Sequence, residues 1–334
     1  MIGRADLAYE LPPEQIAQTP VSPRDAARLL VFERATAGLE ELRFSALTEH
    51  VGPNDLVVVN DTRVRAAKLR GHKASGGKAE ALLLERRPDA TWTAFVRARG
   101  RLTPGLALVF GALSAHVVEV LPGGVCRLAL ASRDGASADA LLDALGEAPL
   151  PPYILRASPR AQDLADYQTI FARAPGAVAA PTASLHFTPE LAAALRIATV
   201  TLHVGPGTFR PVRCERLEDH PLDAERFSVP EATACAIAET RAAGGRVIAV
   251  GTTVVRALET TGGAAGAGDT KLLILPGHAF RAVDSLITNF HLPGSSLLAL
   301  VMAFAGVDAT KRVYAHAIAQ KFRFFSYGDA LWIT

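Results

Sequence analysis

The spacing of apolar and polar positions divides this chain into three textures. Near the start, Ala26–Phe32 (AARLLVF), with Arg24 and Asp25 just before it, predicts a strand. Asp55–Asn60 (DLVVVN) predicts a second, and its unbroken apolar run suits a strand buried on both faces. From about Ala66 to Ala148 short strand candidates (AKLRG, AEALLLE, TWTAFVRA, LALVFG, AHVVEVL, VCRLAL) alternate with turn signals such as Ser75-Gly76-Gly77 and Thr103-Pro104-Gly105. That rhythm predicts a small antiparallel barrel or sandwich. Pro149-Leu150-Pro151-Pro152 then stiffens the exit from the segment.

Beyond it, helical and strand periods alternate. A short helix is predicted over Pro189–Leu195, with Thr188 as N-cap and Pro189 at its first position. Strands are predicted at Ala198–Val204, Arg246–Val250 and Lys271–Leu275, and helices at Glu231–Ala243, Thr252–Glu259, Ser296–Ala305 and Ala309–Lys321, the last capped by Asp308. The fold class expected is an α/β catalytic domain with a mixed sheet, residues 1–65 and 149–334, carrying an inserted antiparallel β-barrel, residues 66–148.

Composition fits this plan. With 334 residues and 49% hydrophobic content the chain can bury a large core in two domains. The opening MIGRADLAYELPPEQ lacks a basic region followed by an apolar stretch, and the longest apolar run, Leu297–Val307, is too short to span a bilayer. Cys126, Cys214 and Cys235 are scattered, which suits free thiols in a reducing compartment. A cytoplasmic protein with no membrane partner is expected. The net charge of +2 is unevenly spread: between Arg63 and Arg101 there are 11 basic and 3 acidic residues, a net of +8, leaving the rest at −6. Such a block is the footprint of a polyanion-binding surface, or of a strand surface kept soluble by its charges.

Candidate chemistry gathers in five turns: Val178–Thr188 (VAAPTASLHFT), Thr201–Phe209 (TLHVGPGTF), Val250–Glu259 (VGTTVVRALE), Ile287–Ser296 (ITNFHLPGSS) and Phe324–Ala330 (FFSYGDA). Each mixes glycine or proline with hydroxyl, amide or imidazole groups, and together they suggest a large pocket for a polar, multi-part ligand. His186, His203, His220 and His291 lack metal-ligand spacing, so acid–base or hydrogen-bonding work is expected rather than a metal. Gly251 permits close approach, and Thr252 and Thr253 add hydroxyls beside free helix N–H groups, a seat for a carboxylate or phosphate. Tyr327 and Phe325 could stack on a base with Asp329 or Asp61 accepting from ring nitrogens; the alternative is that they are core residues.

The words IAQTP, PRDAARLL, NDTRV, KASGGKAE, PLPPYI, YQTIFA, PGAVAAPTASLHFT, TLHVGPGTFRPV, RVIAVGTTVVRALE, DSLITNFHLP and FFSYGDA run nearly end to end. In them the chain resembles the S-adenosylmethionine:tRNA ribosyltransferase-isomerases of queuosine biosynthesis. The resemblance implies S-adenosylmethionine as a ribosyl donor, with no metal. The acceptor is the amine of 7-aminomethyl-7-deazaguanine at the wobble position of a tRNA with a GUN-type anticodon. Adenine and methionine leave, and epoxyqueuosine tRNA results; a monomer is expected.

By position in the matching words, the resemblance puts His186 and His203, with Asp61, at the reacting sugar. Thr252, Thr253 and Arg256 fall to the methionine end, and Asp61, Arg63, Tyr327 and Asp329 to the bases. Asn60, Thr62, Tyr153, Tyr167, Thr182, Gly205, Thr208, Phe209, His220, Glu225, Asn289, His291 and Ser326 complete the expected substrate contacts. Three positions depart from the family's pattern: Ser184 replaces a glycine, Pro206 an alanine and Asp223 a second histidine. These keep open a paralogue acting on another deazapurine or RNA acceptor; a non-catalytic RNA-binding module and a metal-dependent hydrolase are the remaining alternatives.

Overall fold

The computed structural model describes residues 3–132, 135, 137–205, 207, 212 and 214–334. Its chain-order strands are β1 (Arg28–Glu33), β2 (Gly38–Arg43), β3 (Leu56–Asn60), β4 (Thr62–Val64), β5 (Lys68–Lys73), β6 (Lys78–Arg86), β7 (Trp92–Ala98), β8 (Ala107–Phe110) and β9 (Leu113–Val120). They continue with β10 (Val125–Ser132), β11 (Ala174–Ala177), β12 (Ile197–Leu202), β13 (Glu225–Val229), β14 (Val247–Val250), β15 (Gly266–Thr270), β16 (Ser285–Asn289) and β17 (Ala330–Ile333).

Nine of these form one mixed sheet in the order β15-β13-β12-β3-β14-β16-β17-β1-β2. Its centre, β12-β3-β14-β16, is parallel, with Val57 of β3 opposite both Ile197 and Ile248. The apolar runs of β3 and β14 explain this: every residue of both strands is buried, which only a strand covered on two faces allows. One face packs Val58, Val200 and Ala249 under the helices Thr252–Thr261 and Ser296–Ala305; the other packs Val57, Val59 and Ile248 against Phe44, Phe187 and Trp332.

Strands β5–β10 close an antiparallel barrel in the order β10-β7-β6-β5-β8-β9. Alternating burial fills it with Leu69, Leu83, Trp92, Ala94, Phe110 and Leu128, and the helix Ala138–Leu145 covers it with Leu142. The α/β sheet and the antiparallel barrel are thus both present as expected.

Two local expectations need correction. Lys271–Leu275 is not a strand: the edge strand is the preceding Gly266–Thr270, paired antiparallel with β13. The apolar run instead turns inward, with Ile274 buried in the core and the Leu272 carbonyl accepting from Arg256 Nε at 2.9 Å. The last helix starts at Val307 with Gly306 as its N-cap, so Asp308 sits in the first turn rather than at the cap. Thr188 does cap its helix, accepting from Leu191 N at 3.2 Å.

Candidate active site

The carboxyl ends of β12, β3, β14 and β16 lie at one edge of the sheet, and β3 is flanked on its two sides by strands that follow it in the chain. That is the switch point at which open α/β sheets leave a crevice. A pocket opens there between the segment Ala179–Ala183, the start of the Thr252 helix and the loop after β16, with Tyr153, Tyr167, Phe325 and Ser326 closing it.

Local conformation prepares each wall. Gly251 has φ of 96°, a left-handed-side conformation a side chain would resist, and its N–H donates to Ile287 O at 2.7 Å. The turn delivers Thr252 and Thr253 to the pocket at the N-terminus of a ten-residue helix, where unpaired N–H groups and the helix dipole favour an anion. Asn60 holds the neighbouring strand ends. Its Oδ1 accepts from Thr62 N at 3.0 Å and Leu202 N at 3.1 Å, while Nδ2 donates to Leu202 O at 2.9 Å and Thr253 Oγ1 at 3.2 Å. With its amide spent on the protein, Asn60 acts through Thr62 and Thr253.

Opposite them, Phe325 is held at φ of 71°, a strained value for an aromatic residue. Asn289 Nδ2 donates to its carbonyl at 2.9 Å, and Asp329 brackets the turn by accepting from Arg28 N at 2.9 Å and Arg323 N at 2.7 Å. Buried in that bracket, the Asp329 carboxyl is pushed above its ordinary range. It supports the turn rather than facing the pocket. The turn points Ser326 inward, 2.7 Å from Tyr153 Oη; burial drives the Tyr153 phenol up to about 12. Tyr167 meets Tyr327 edge-on at 6.0 Å.

Several polar atoms around this turn are buried without an aligned partner: the hydroxyls of Ser184 and Tyr327, Nε2 of His186 and Oδ1 of Asn289, while the Tyr167 hydroxyl lies near Ser326 and the Ala180 backbone. Folded proteins rarely leave such groups unpaired, so their concentration here points to atoms that a ligand satisfies. His186 stacks on Phe44 at 4.9 Å, and burial lowers its imidazole to about 4; Asn289 lies close enough to oppose this slightly without a well-aligned hydrogen bond. His291 accepts or donates at Thr288 Oγ1, 2.8 Å away, and burial lowers it to about 3 although part of the residue stays exposed to the pocket. Both rings are neutral at neutral pH. Ser184 sits in the 3₁₀ helix Thr182–His186, fully buried and outside the left-handed region, so the serine is housed without backbone strain.

The remaining expected residues divide among neighbouring cavities. His203 lines a separate opening with Thr201 and Arg226, its Nδ1 2.8 Å from Thr62 Oγ1; it does not share a cavity with His186. Asp61 accepts from Thr201 Oγ1 at 2.6 Å. Arg256 does not join Thr252 and Thr253: it turns to a second pocket, ion-paired there with buried Glu225, whose other oxygen accepts from Gly205 N at 2.7 Å. His220 is buried after the short helix Leu217–Asp219. Asp223 lines the second pocket beside Glu225. Arg63 is exposed on β4, facing a cleft next to the barrel. Thr208 and Phe209, with Pro206, lie outside the described residues. Sequence reasoning passed over Gln168, which clamps Val64 through both its amide atoms, and Gly176, which abuts the His203 ring. Neither carries a local signal, because each acts on a strand distant in sequence. Among the described residues no group of three potential metal ligands gathers, and no helix is long and apolar enough to cross a membrane.

A largely apolar pocket with a few convergent hydroxyl, amide and imidazole groups, at the switch point of a mixed α/β sheet and beside a basic closed barrel, is the arrangement of an α/β enzyme for a composite ligand. Residues 4–333 match the family described as queuosine biosynthesis protein, and the chain belongs to that family. It is similar to the S-adenosylmethionine:tRNA ribosyltransferase-isomerase of Anaeromyxobacter dehalogenans (strain 2CP-1), 49% identical over 339 residues and covering 98% of each chain. The protein of that name from Geobacter sulfurreducens is 49% identical over 337 residues, 97% of this chain and 98% of its own. Among solved structures, S-adenosylmethionine tRNA ribosyltransferase from Thermotoga maritima aligns with a TM-score of 0.55 and 35% identity, over 98% of this chain and 100% of that one.

Proposed function

We propose that this chain is a transferase that moves the ribosyl group of S-adenosylmethionine to tRNA and isomerises it. The acceptor is the amine of 7-aminomethyl-7-deazaguanine at the wobble position of a GUN-type anticodon; adenine and methionine are released and epoxyqueuosine tRNA is formed. The single observation that carries the reading is end-to-end similarity to relatives named for this reaction, over 97–98% of the chain. The pocket supports it, since the Thr252 and Thr253 hydroxyls, the unpaired Oδ1 of Asn289 and the aromatic walls Tyr153 and Phe325 suit a ligand with a base, a sugar and an amino acid.

The chemistry assigns work to these residues. The sulfonium acidifies the C5′ hydrogens, and a base must take one; His203, oriented by Thr62 in the opening next to pocket-lining Val204, is our assignment, which requires the ribose to lie where that opening borders the pocket. Adenine leaves from C1′ with the bonding pair and takes up the proton that the base removed from C5′, while neutral His186, in the small cavity that shares Ser326 with the pocket, hydrogen-bonds the departing ring. The acceptor amine then bonds to the sugar and gives up a proton, and methionine departs as the thioether with the C5′–S pair as a new bond within the sugar closes the epoxycyclopentane ring. The N-terminus of the Thr252 helix receives the methionine carboxylate.

Incubation with S-adenosylmethionine and tRNA carrying 7-aminomethyl-7-deazaguanine, read by mass spectrometry, tests this. Equimolar adenine and methionine with epoxyqueuosine in the tRNA is the expected result. Bound but unreacted S-adenosylmethionine would shift the reading to another acceptor and direct attention to Ser184 and Asp223.

A further inference from the structure

The loop after β16 carries a histidine whose main chain is held on both sides by tyrosines far away in sequence. The backbone N–H of His291 donates to Tyr314 Oη at 3.0 Å, and its carbonyl accepts from Tyr9 Oη. The two tyrosines meet edge-on at 5.3 Å, and neither lines the pocket. They fix the loop from behind and leave the His291 ring to the pocket, which it lines with Thr288 and Asn289.

The ring has one hydrogen bond among the described residues: Nε2 lies 2.8 Å from Thr288 Oγ1. Thr288 is 1% exposed, and its hydroxyl has no other partner among the described residues. A buried O–H that only accepted would leave its hydrogen unpaired, which folded proteins avoid. Thr288 therefore donates, Nε2 accepts, and in a neutral ring the proton sits on Nδ1. Burial lowers the imidazole to about 3, so the ring is neutral at neutral pH. Nδ1 has no partner among the described residues and is not sealed from solvent, so its hydrogen opens to the pocket.

The neighbours of His291 define which part of a ligand it meets. In the register of β14 and β16 Val250 faces Ile287, and Gly251 N donates to Ile287 O, so Thr288 stands beside the turn that opens the Thr252 helix. On the other side Asn289 Nδ2 reaches Phe325 O, at the turn that carries Ser326. The stretch Thr288–His291 thus lies between the anion seat at the helix N-terminus and the Ser326 turn next to His186. With the methionine carboxylate at the first and the base at the second, the sugar falls at His291.

We propose that His291 donates a hydrogen bond from Nδ1 to an oxygen of the ribosyl group, with Thr288 as the positioning residue that sets its tautomer. The inference rests on the functional reading above for the identity of the ligand. A neutral imidazole N–H polarises an oxygen on which charge develops without giving up its proton, which suits a sugar rearranged in place.

The test pairs spectroscopy with kinetics. Long-range nitrogen–proton correlation spectra of the full chain, with isotope-labelled histidine, read the tautomer of each ring, and the signals missing from His291→Asn assign His291. The expected state is a protonated Nδ1 whose signal moves when S-adenosylmethionine is added without tRNA. His291→Phe should lower kcat for adenine release by roughly 10²-fold, the loss expected of one preorganised donor, with little change in KM for S-adenosylmethionine. His291→Asn, whose amide places an N–H near the Nδ1 position, should recover most of that loss. Thr288→Val should lower kcat roughly tenfold, and Thr288→Ser should restore it. Should His291→Phe fail to fold, the two Thr288 variants carry the same comparison. A ring protonated at Nε2, an Nδ1 signal indifferent to S-adenosylmethionine, or His291→Phe turning over like wild type would each overturn the proposal. A wild type that releases no adenine, yet whose Nδ1 signal moves with S-adenosylmethionine, would sink the transferase reading and leave this contact standing.

Discussion

Nδ1 of His203 lies 2.8 Å from the hydroxyl of Thr62, a residue 141 positions earlier in the chain. The pair forms because β12 lies beside β3 in the sheet, so that the segments leaving the two strands emerge together, and Asn60 fixes the backbone of Thr62. A hydroxyl held this way selects one tautomer of the ring and aims its other nitrogen. Burial, then the positive charges of Arg226 and Arg65, hold the imidazole below its ordinary value, against a weaker upward pull from Asp61.

If His203 takes the C5′ proton, it must be neutral, so kcat/KM should fall with pH along an acid limb placed below about 6.5. Asp61→Asn removes the one negative contribution while leaving an acceptor for Thr201, so the limb should move to still lower pH. A pH profile of adenine release checks both; a limb unmoved by Asp61→Asn, or one above 6.5, assigns the proton to another group.

Gly176 faces the same ring. A Cβ there would come within 2.6 Å of His203 Nδ1, too close for the ring to stay hydrogen-bonded to Thr62. Gly176→Ala should therefore lower kcat by roughly 10²-fold, the scale expected of a displacement near 1 Å. Its Tm should change little, because φ at Gly176 is not in the left-handed region. A normal kcat in this variant would remove His203 from the chemistry.

The contrast between what the sequence displays and what it conceals follows from the range of each interaction. β3 and β14 are legible because four consecutive buried apolar residues have few other uses. β15 reads GAGDT and has no apolar pattern; it is a strand through its register with β13, while the apolar residues after it fill the core. The five turns were visible as polar loops, yet not the cavity each would face. Thr252 and Arg256 stand four apart on one helix, but the long Arg256 side chain turns to Glu225 and leaves the pocket to the threonines. Gly176 and Gln168 act on partners dozens of residues away, which no local motif announces.

Two buried imidazoles make stability depend on pH. His186 and His291 are lowered to about 4 and about 3 by burial, so between about pH 6.5 and 4 the unfolded chain binds protons that the folded chain does not. Stability is then fully present above pH 6.5 and is lost as pH falls, by up to about 1.4 kcal/mol per pH unit for each ring. His186→Phe keeps an aromatic ring against Phe44 and removes one of these titrations. Urea unfolding at stepped pH should show a shallower acid decline in this variant, with adenine release impaired at pH 7.5. An unchanged decline would mean that His186 already carries its proton in the fold.

The Arg256–Glu225 pair is the last of the site's supports to be tested. Both side chains are over nine-tenths buried, so each charge contributes to the solvation of the other. Glu225 also accepts from Gly205 N, and Arg256 Nε donates to Leu272 O, so the pair ties β13, the glycine turn and the Thr252 helix together. Arg256→Leu removes this cation from the buried carboxylate and should cost up to about 3–5 kcal/mol. Glu225→Gln retains an oxygen for Gly205 but leaves the guanidinium uncompensated. Combining the two removes both charges, so the double variant should lose less stability than the two single losses together. Urea denaturation of the four proteins in this cycle measures the coupling directly. Additive losses would mean that the two groups are solvated independently, and that the glycine turn does not rely on their attraction.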